Sequence, residues 1–299
     1  MGRVAHFCMA VAATAVLTFS GAQAAPESPW LAGESLTMPA RYEIVRLNYD
    51  LTAVREQRAA VPAVFATALP SGLGELRDVR LKKRSFIRLV LPLILESNNR
   101  IQAKREHLQA LARKPVLRNV DRAWLAELAG DYDLDPETPE LIEELLLRVD
   151  TVPVSLAIAQ SITESGWGTS RFARNGRALY GQRTWSRGGG LVPKRRREGE
   201  NYEVKAFRSL LESVEAYMRN LNTHPAYEDL RFIRAEYRAM GKRASGYALA
   251  AGLDRYAETG TQYVEELRML MRVNRLSDFE AAVLDTGAGR VAWLNRPSF

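Results

Sequence analysis

The stretch Ala157-Ile158-Ala159-Gln160-Ser161-Ile162-Thr163-Glu164-Ser165-Gly166-Trp167-Gly168 sets one carboxylate at the end of an apolar helix, directly before Gly and Trp. Val154, Ile158 and Ile162 recur every four residues and form a stripe for the core, whereas Gln160 and Glu164 share a different face. The helix is thus anchored on one side while its last carboxylate can face a cleft. A carboxyl group at a partly desolvated helix end, against an indole, keeps its proton to higher pH than one in water. Glu164 is therefore the first candidate for a general acid. The competing reading is an ordinary surface glutamate before a helix-ending glycine.

Upstream, Asp150 or Thr151 can cap this helix, with Pro153 close to its first turn. Residues 85–113 repeat apolar side chains at three- and four-residue spacing, including Phe86, Leu89, Leu93 and Ile101, which predicts a long amphipathic helix bent at Pro92. Shorter helices are expected over 121–130, around Trp124, and over 138–149, with Pro139 in the first turn. Residues 25–75 read as an extended or partly helical leader, closed by the Pro70-Ser71-Gly72-Leu73-Gly74 break. Residues 76–150 form a helical region, 151–280 the main domain and 281–299 a tail.

Downstream of Gly168 the pattern changes. Gly188-Gly189-Gly190 and a basic run from Lys194 to Arg197 precede an alternating segment, Asn201 to Phe207, which reads as part of a small β-hairpin. Helical spacing returns over 210–221, 227–240, 246–251 and 261–272.

The first 24 residues combine Arg3, an uncharged stretch from Phe7 to Phe19 and Ala22-Gln23-Ala24, the pattern of a cleaved secretory signal peptide. The single cysteine, Cys8, lies within it, so stability has to come from packing rather than from disulfides. Roughly 275 residues then remain, enough for a substantial core. No later segment has the length of a membrane span. The formal net charge of +7 is concentrated in Lys82-Lys83-Arg84 and the 194–197 run, read as loops, which suits a polyanionic partner such as a cell-wall polymer. Of three histidines, His107 and His224 survive cleavage, far apart and without cysteine, so no metal site is expected. A serine-hydrolase elbow and a glycine-rich phosphate loop are missing too.

Several separated motifs occur in order: Glu164-Ser165-Gly166-Trp167-Gly168-Thr169-Ser170, Asn175 with Leu179-Tyr180-Gly181, Phe207-Arg208-Ser209 with Glu212-Ser213 and Tyr217, and Tyr256-Ala257-Glu258 with Tyr263. Together they resemble the glucosaminidase family 73 of the glycoside hydrolases. Leu91 to Ile94, Arg148 to Pro153 and Asn220 to Tyr227 are similar to segments of its Gram-negative Bax-type group. The likeness covers roughly residues 80–280.

This resemblance implies a mainly α (α+β) fold, with a lysozyme-like helical lobe and a small β-hairpin lobe across an active-site cleft, preceded by an N-terminal helical extension. It implies hydrolysis of the β-1,4 bond after N-acetylglucosamine in peptidoglycan; with the signal peptide, the expected action is periplasmic, on peptidoglycan strands, with no cofactor, metal or nucleic acid. The family's acid maps onto Glu164, and its cleft tyrosines onto Tyr256 and Tyr263, seven apart and so on one face if that segment is helical. Such chemistry ordinarily needs a second carboxylate. The hairpin offers Glu198, Glu200 and Glu203; Glu198 is favoured, and the substrate acetamide is a further route. Asn175 and Gln182 are candidates for hydrogen bonds to acetamido or hydroxyl groups, and Trp167, Tyr180 and Trp185 for stacking on sugar faces. A lytic transglycosylase or muramidase on a related fold and a non-catalytic wall-binding protein are the competing functions.

Overall fold

The computed structural model describes residues 44, 47–194, 196, 199–285, 287 and 292–294. The expected signal peptide, residues 25–43 and Glu198 lie outside the described residues.

The protein is mainly helical, and one helix organises it. Before that helix come α1 (Leu51–Arg55), the short strands β1 (Val61–Pro62) and β2 (Val64–Ala66), and a 3-10 turn at Ser71–Glu75. Then α2 (Val79–Ala112) runs unbroken for 34 residues, about 50 Å. It starts six residues earlier than the spacing predicted because Asp78 caps it, accepting from the Arg80 and Leu81 amides. Lys82, Lys83 and Arg84 thus belong to its first turns rather than to a loop.

Pro92 lies within α2 without ending it. Its missing N–H leaves the carbonyl of Arg88 without the usual helical donor. The Tyr49 hydroxyl supplies one at 3.1 Å, and Arg88 Nε returns a bond to the Tyr49 carbonyl at 2.8 Å.

The long helix serves two cores. Its first half, from Leu81 to Leu95, joins the main core with buried residues contributed from Ile44 to Leu284. Its second half packs Leu108 and Leu111 against Leu125, Leu128 and Tyr132 of α3 (Asn119–Asp131) and its flank, and Leu145 of α4 (Leu141–Arg148). Helix α4 begins after Pro139, not around it, because Glu140 takes left-handed backbone at its N-cap.

Helix α5 (Val154–Ser165) crosses the main core, and Leu156 to Ser161 are buried on every side. Burial of Leu156 and Ile158 contributes roughly 1.5–3 kcal/mol each. The expected cap differs. Neither Asp150 nor Thr151 caps α5; the Glu280 carboxylate accepts from the Val154 and Ser155 amides, both at 3.0 Å, and from the Ser155 hydroxyl. Asp150 is instead enclosed by Arg105, Arg234 and Arg238, and Arg105 and Arg234 also bind carbonyls at the end of α4 and in the connection to α5. At the far end Gly166 closes α5 with φ +57°, leaving Glu164 in its last turn.

After α6 (Arg171–Gly176) comes a three-stranded antiparallel sheet, β3 (Arg183–Thr184), β4 (Gly190–Leu191) and β5 (Glu203–Lys205). Its centre is β5, the last strand, with β3 and β4 on either side. Helices α7 (Leu210–Thr223), α8 (Glu228–Ala239), α9 (Gly246–Leu249) and α10 (Thr261–Val273) complete the helical lobe. The last strands, β6 (Leu284–Asp285) and β7 (Ala292–Leu294), return to pair in parallel with β1 and β2. Segments read from sequence as leader and tail are therefore hydrogen-bonded to each other. Among the described residues no helix is long and apolar enough to cross a membrane.

Candidate active site

Glu164 is held by the loop that follows it. Ser165 is buried; its hydroxyl donates to the Ser161 carbonyl at 2.5 Å and accepts the Gly168 amide at 2.9 Å. Trp167 takes left-handed backbone, φ +58°, sits edge-on to Phe86 with centroids 5.9 Å apart, and carries the Lys83 ammonium 4.9 Å above its ring. A bulky residue in that conformation is unusual and persists because packing fixes it. Trp167 thus closes the apolar side of this loop and is only half exposed.

The carboxylate meets helix α10 on its other side. The Tyr263 hydroxyl donates to Glu164 Oε1 at 3.0 Å. Burial pushes the Glu164 carboxyl up to about 7; the bond from Tyr263 works in the opposite direction, and the nearby charge of Glu266 adds to the rise. At neutral pH a large fraction of Glu164 therefore holds a proton. Gly181, at φ +62°, closes the third side, where a Cβ would stand 3.2 Å from Glu164 Oε2. Its absence keeps that oxygen open.

Tyrosines line this region in two stacks. Tyr256 and Tyr263 lie parallel with centroids 5.4 Å apart, and Tyr227 stands 5.6 Å from Tyr256. Tyr256 lies in the turn before α10, not on the helix, so the pair meets by stacking rather than through helical periodicity. Its hydroxyl donates to the carbonyl of Tyr180 at 3.1 Å, tying the turn to the segment that carries Gly181.

The remaining sequence candidates divide. Tyr180 was expected on a sugar face; it is 2% exposed and stacks on Tyr217 at 3.7 Å, so its ring is a core element. Tyr263 is likewise buried and offers its hydroxyl, not its face. Gln182 is half-buried beside Gly181, with a buried Oε1 that has no protein donor. Asn175 is exposed at the end of α6, and Trp185 is exposed beyond β3. Glu203 accepts from the Gly188 and Gly190 amides at 3.1 and 2.8 Å, which commits its carboxylate to the sheet. Glu200 is half-buried.

Three contributors escaped the sequence reading. Glu266 lies one helical turn beyond Tyr263, and that spacing was the signal for it. Gly181 was quoted only as part of a motif, and Tyr217 was given no role. Nothing local marks a glycine by what it leaves room for.

The glucosaminidase family model, described as mannosyl-glycoprotein endo-beta-N-acetylglucosaminidase, matches residues 140–276. The catalytic domain of the autolysin Auto from Listeria monocytogenes aligns at 18% identity over 59% of this chain and 96% of its own, with a TM-score of 0.29. Protein bax of Escherichia coli (strain K12) is 32% identical over 215 residues, spanning 70% of this chain and 77% of that protein. By that identity and coverage, with the family model lying over the Glu164 helix, the sheet and the tyrosine stack, the chain belongs to the Bax-type glucosaminidase family of glycoside hydrolases.

Proposed function

We propose that the protein is an exported, periplasmic endo-β-N-acetylglucosaminidase that cuts the β-1,4 bond after N-acetylglucosamine in peptidoglycan, with Glu164 as general acid. The observation that carries this reading is the state of Glu164: a carboxyl at a helix end, raised to about 7 by burial, with one oxygen held by Tyr263 and the other facing a glycine. A glycosidic oxygen is a poor leaving group until protonated, and an acid with that ionisation carries its proton where neutral solution would remove it.

For the positive charge that builds on the sugar ring, we favour Glu198, which falls between β4 and β5 in the sequence, as the second carboxylate. Glu203 is spoken for by two backbone amides, which supports looking elsewhere on the loop. Glu200 and the substrate acetamide are the other routes. Gln182 and Asn175 are proposed to bind acetamido or hydroxyl groups, and Trp167 and Tyr256 to border the sugar path.

The test is digestion of peptidoglycan sacculi by wild type and Glu164→Gln, with mass analysis of the muropeptides. Reducing-end N-acetylglucosamine from wild type alone supports the proposal. Anhydro-muramic ends indicate a transglycosylase, no digestion by either protein indicates a binding protein, and equal digestion by both overturns Glu164 as the acid.

A further inference from the structure

Three hydrogen bonds, two buried and the last partly buried, run end to end into Glu164. The Tyr217 hydroxyl donates to Gln160 Oε1 at 2.7 Å, Gln160 Nε2 donates to the Tyr263 oxygen at 3.1 Å, and the Tyr263 hydroxyl donates to Glu164 Oε1 at 3.0 Å. Gln160 and Tyr217 are completely buried, and Tyr263 nearly so. Four residues on three helices, α5, α7 and α10, thus form one line.

An amide gives such a line a direction, because its oxygen only accepts and its nitrogen only donates. A tyrosine hydroxyl has a single proton. With the Tyr217 proton on Gln160 Oε1, the nitrogen must face Tyr263, and the Tyr263 proton is left for Glu164. Reversing the amide would deprive the Tyr217 proton of this acceptor, draw the Tyr263 proton onto Gln160, and set the lone pairs of Tyr263 against an ionised Glu164. A buried polar group stranded in this way keeps its full desolvation cost with nothing to offset it. The observed direction is the one that satisfies every group.

We infer that Gln160 is a positioning residue: by fixing the direction of this line it makes Glu164 Oε1 a constant acceptor and confines the acid proton to Oε2, the oxygen on the Gly181 side. The inference rests on the reading of Glu164 as the acid. In the reaction the proton leaves Oε2 for the leaving-group oxygen, which takes the electron pair of the breaking C–O bond. The carboxylate that remains is already bonded at Oε1, so no reorganisation of its other oxygen is needed.

The groups that act electrostatically on Glu164 are Tyr217 on α7, Tyr227 before α8, Tyr256 before α10, and Tyr263 and Glu266 on α10. None of these is a cation, so the hydrogen bond from Tyr263 is the feature here that favours the charged form.

The experiment follows the Glu164 carboxyl by 13C NMR through a pH titration, beside the pH profile of kcat/KM, in wild type, Gln160→Met, Tyr217→Phe, Tyr263→Phe and the Gln160→Met/Tyr263→Phe pair. Gln160→Met keeps the side chain's length, and Tyr217→Phe frees the amide to reverse without touching α5. Without the direction set by Gln160, Tyr263 is free to accept from protonated Glu164, which favours the neutral form. The titration midpoint and the alkaline limb of activity should both move upward in Gln160→Met, and in the same direction but less in Tyr217→Phe. About a tenfold loss of kcat with little change in KM should accompany the larger shift. Adding Gln160→Met to Tyr263→Phe should move the midpoint no further. Midpoints unchanged in both single variants, or shifts that add in the pair, overturn the inference. Glu164→Gln that stays active overturns the catalytic reading instead, while the carboxyl titration still reports on Gln160.

Discussion

The hydroxyl of Tyr49 stands in for the backbone N–H that Pro92 lacks, donating to the Arg88 carbonyl at 3.1 Å. This is why α2 carries an internal proline without breaking. Tyr49→Phe is expected to destabilise the protein by about 1–2 kcal/mol in denaturant unfolding, since it strands a carbonyl within the helix. Pro92→Ala restores an N–H at that position, so the pair should recover most of the loss that Tyr49→Phe causes alone. Strictly additive effects in the double-mutant cycle would show that the two residues are not exchanging one donor.

Glu164 should make the protein less stable as the solution becomes alkaline. Its folded-state ionisation near 7 lies above the ordinary 4.5, so the folded chain binds this proton more tightly than the unfolded one. The associated stability is complete below about 4.5 and is lost as pH rises through 7. Glu164→Gln is therefore expected to be more stable than wild type by roughly 2–3 kcal/mol at pH 8, with the gap closing near pH 4. Activity should fall by about a thousandfold or more. Melting curves of both proteins across that range check the sign, and a gap that widens toward acid contradicts it.

Gly181→Ala should separate activity from stability. The added methyl would stand 3.2 Å from Glu164 Oε2 in left-handed backbone. The strain is expected to cost about 1 kcal/mol in unfolding. Turnover should drop far more, about a hundredfold, because the methyl occupies the approach to the oxygen that carries the proton. Equal losses in both measurements would mean that the glycine serves the backbone alone.

Asp150 has the opposite dependence on pH from Glu164. Burial raises its carboxyl, but the hydrogen bonds from Arg238 and the charges of Arg234 and Arg105 more than offset this and hold it below the usual carboxylate range. Its contribution is present above about 3.8 and disappears as pH falls through the lowered folded value. Asp150→Asn leaves three guanidinium groups around a neutral amide and should cost about 3–5 kcal/mol at neutral pH. Acid unfolding of the variant should be less steep than that of wild type.

What the sequence discloses here is what is local. The stripe through Val154, Ile158 and Ile162, the Gly166 stop and the position of Glu164 follow from neighbours within one or two turns, and all three are observed. The Glu280 cap of α5 comes from 126 residues away, and the Tyr49 bond that preserves α2 from 39, so neither has a local signature. Tyr180 shows a different limit. A tyrosine at a cleft rim and one stacked in the core present the same letter in the same motif, and only Tyr217 lying against it distinguishes them. Glu203 fits the alternation of its strand, yet alternation does not say that its carboxylate will meet the Gly188 and Gly190 amides.

Helix α5 is bonded near both ends by residues far along the chain, Glu280 on the Val154 amide and Tyr263 on the Glu164 carboxylate. A chain emerging from a ribosome or a translocation channel as far as residue 250 contains Glu164 but neither of these partners. The burial that raises its carboxyl includes packing against α10, which at that stage is still to come. The tuned acid comes into being only when nearly the whole chain has arrived and folded.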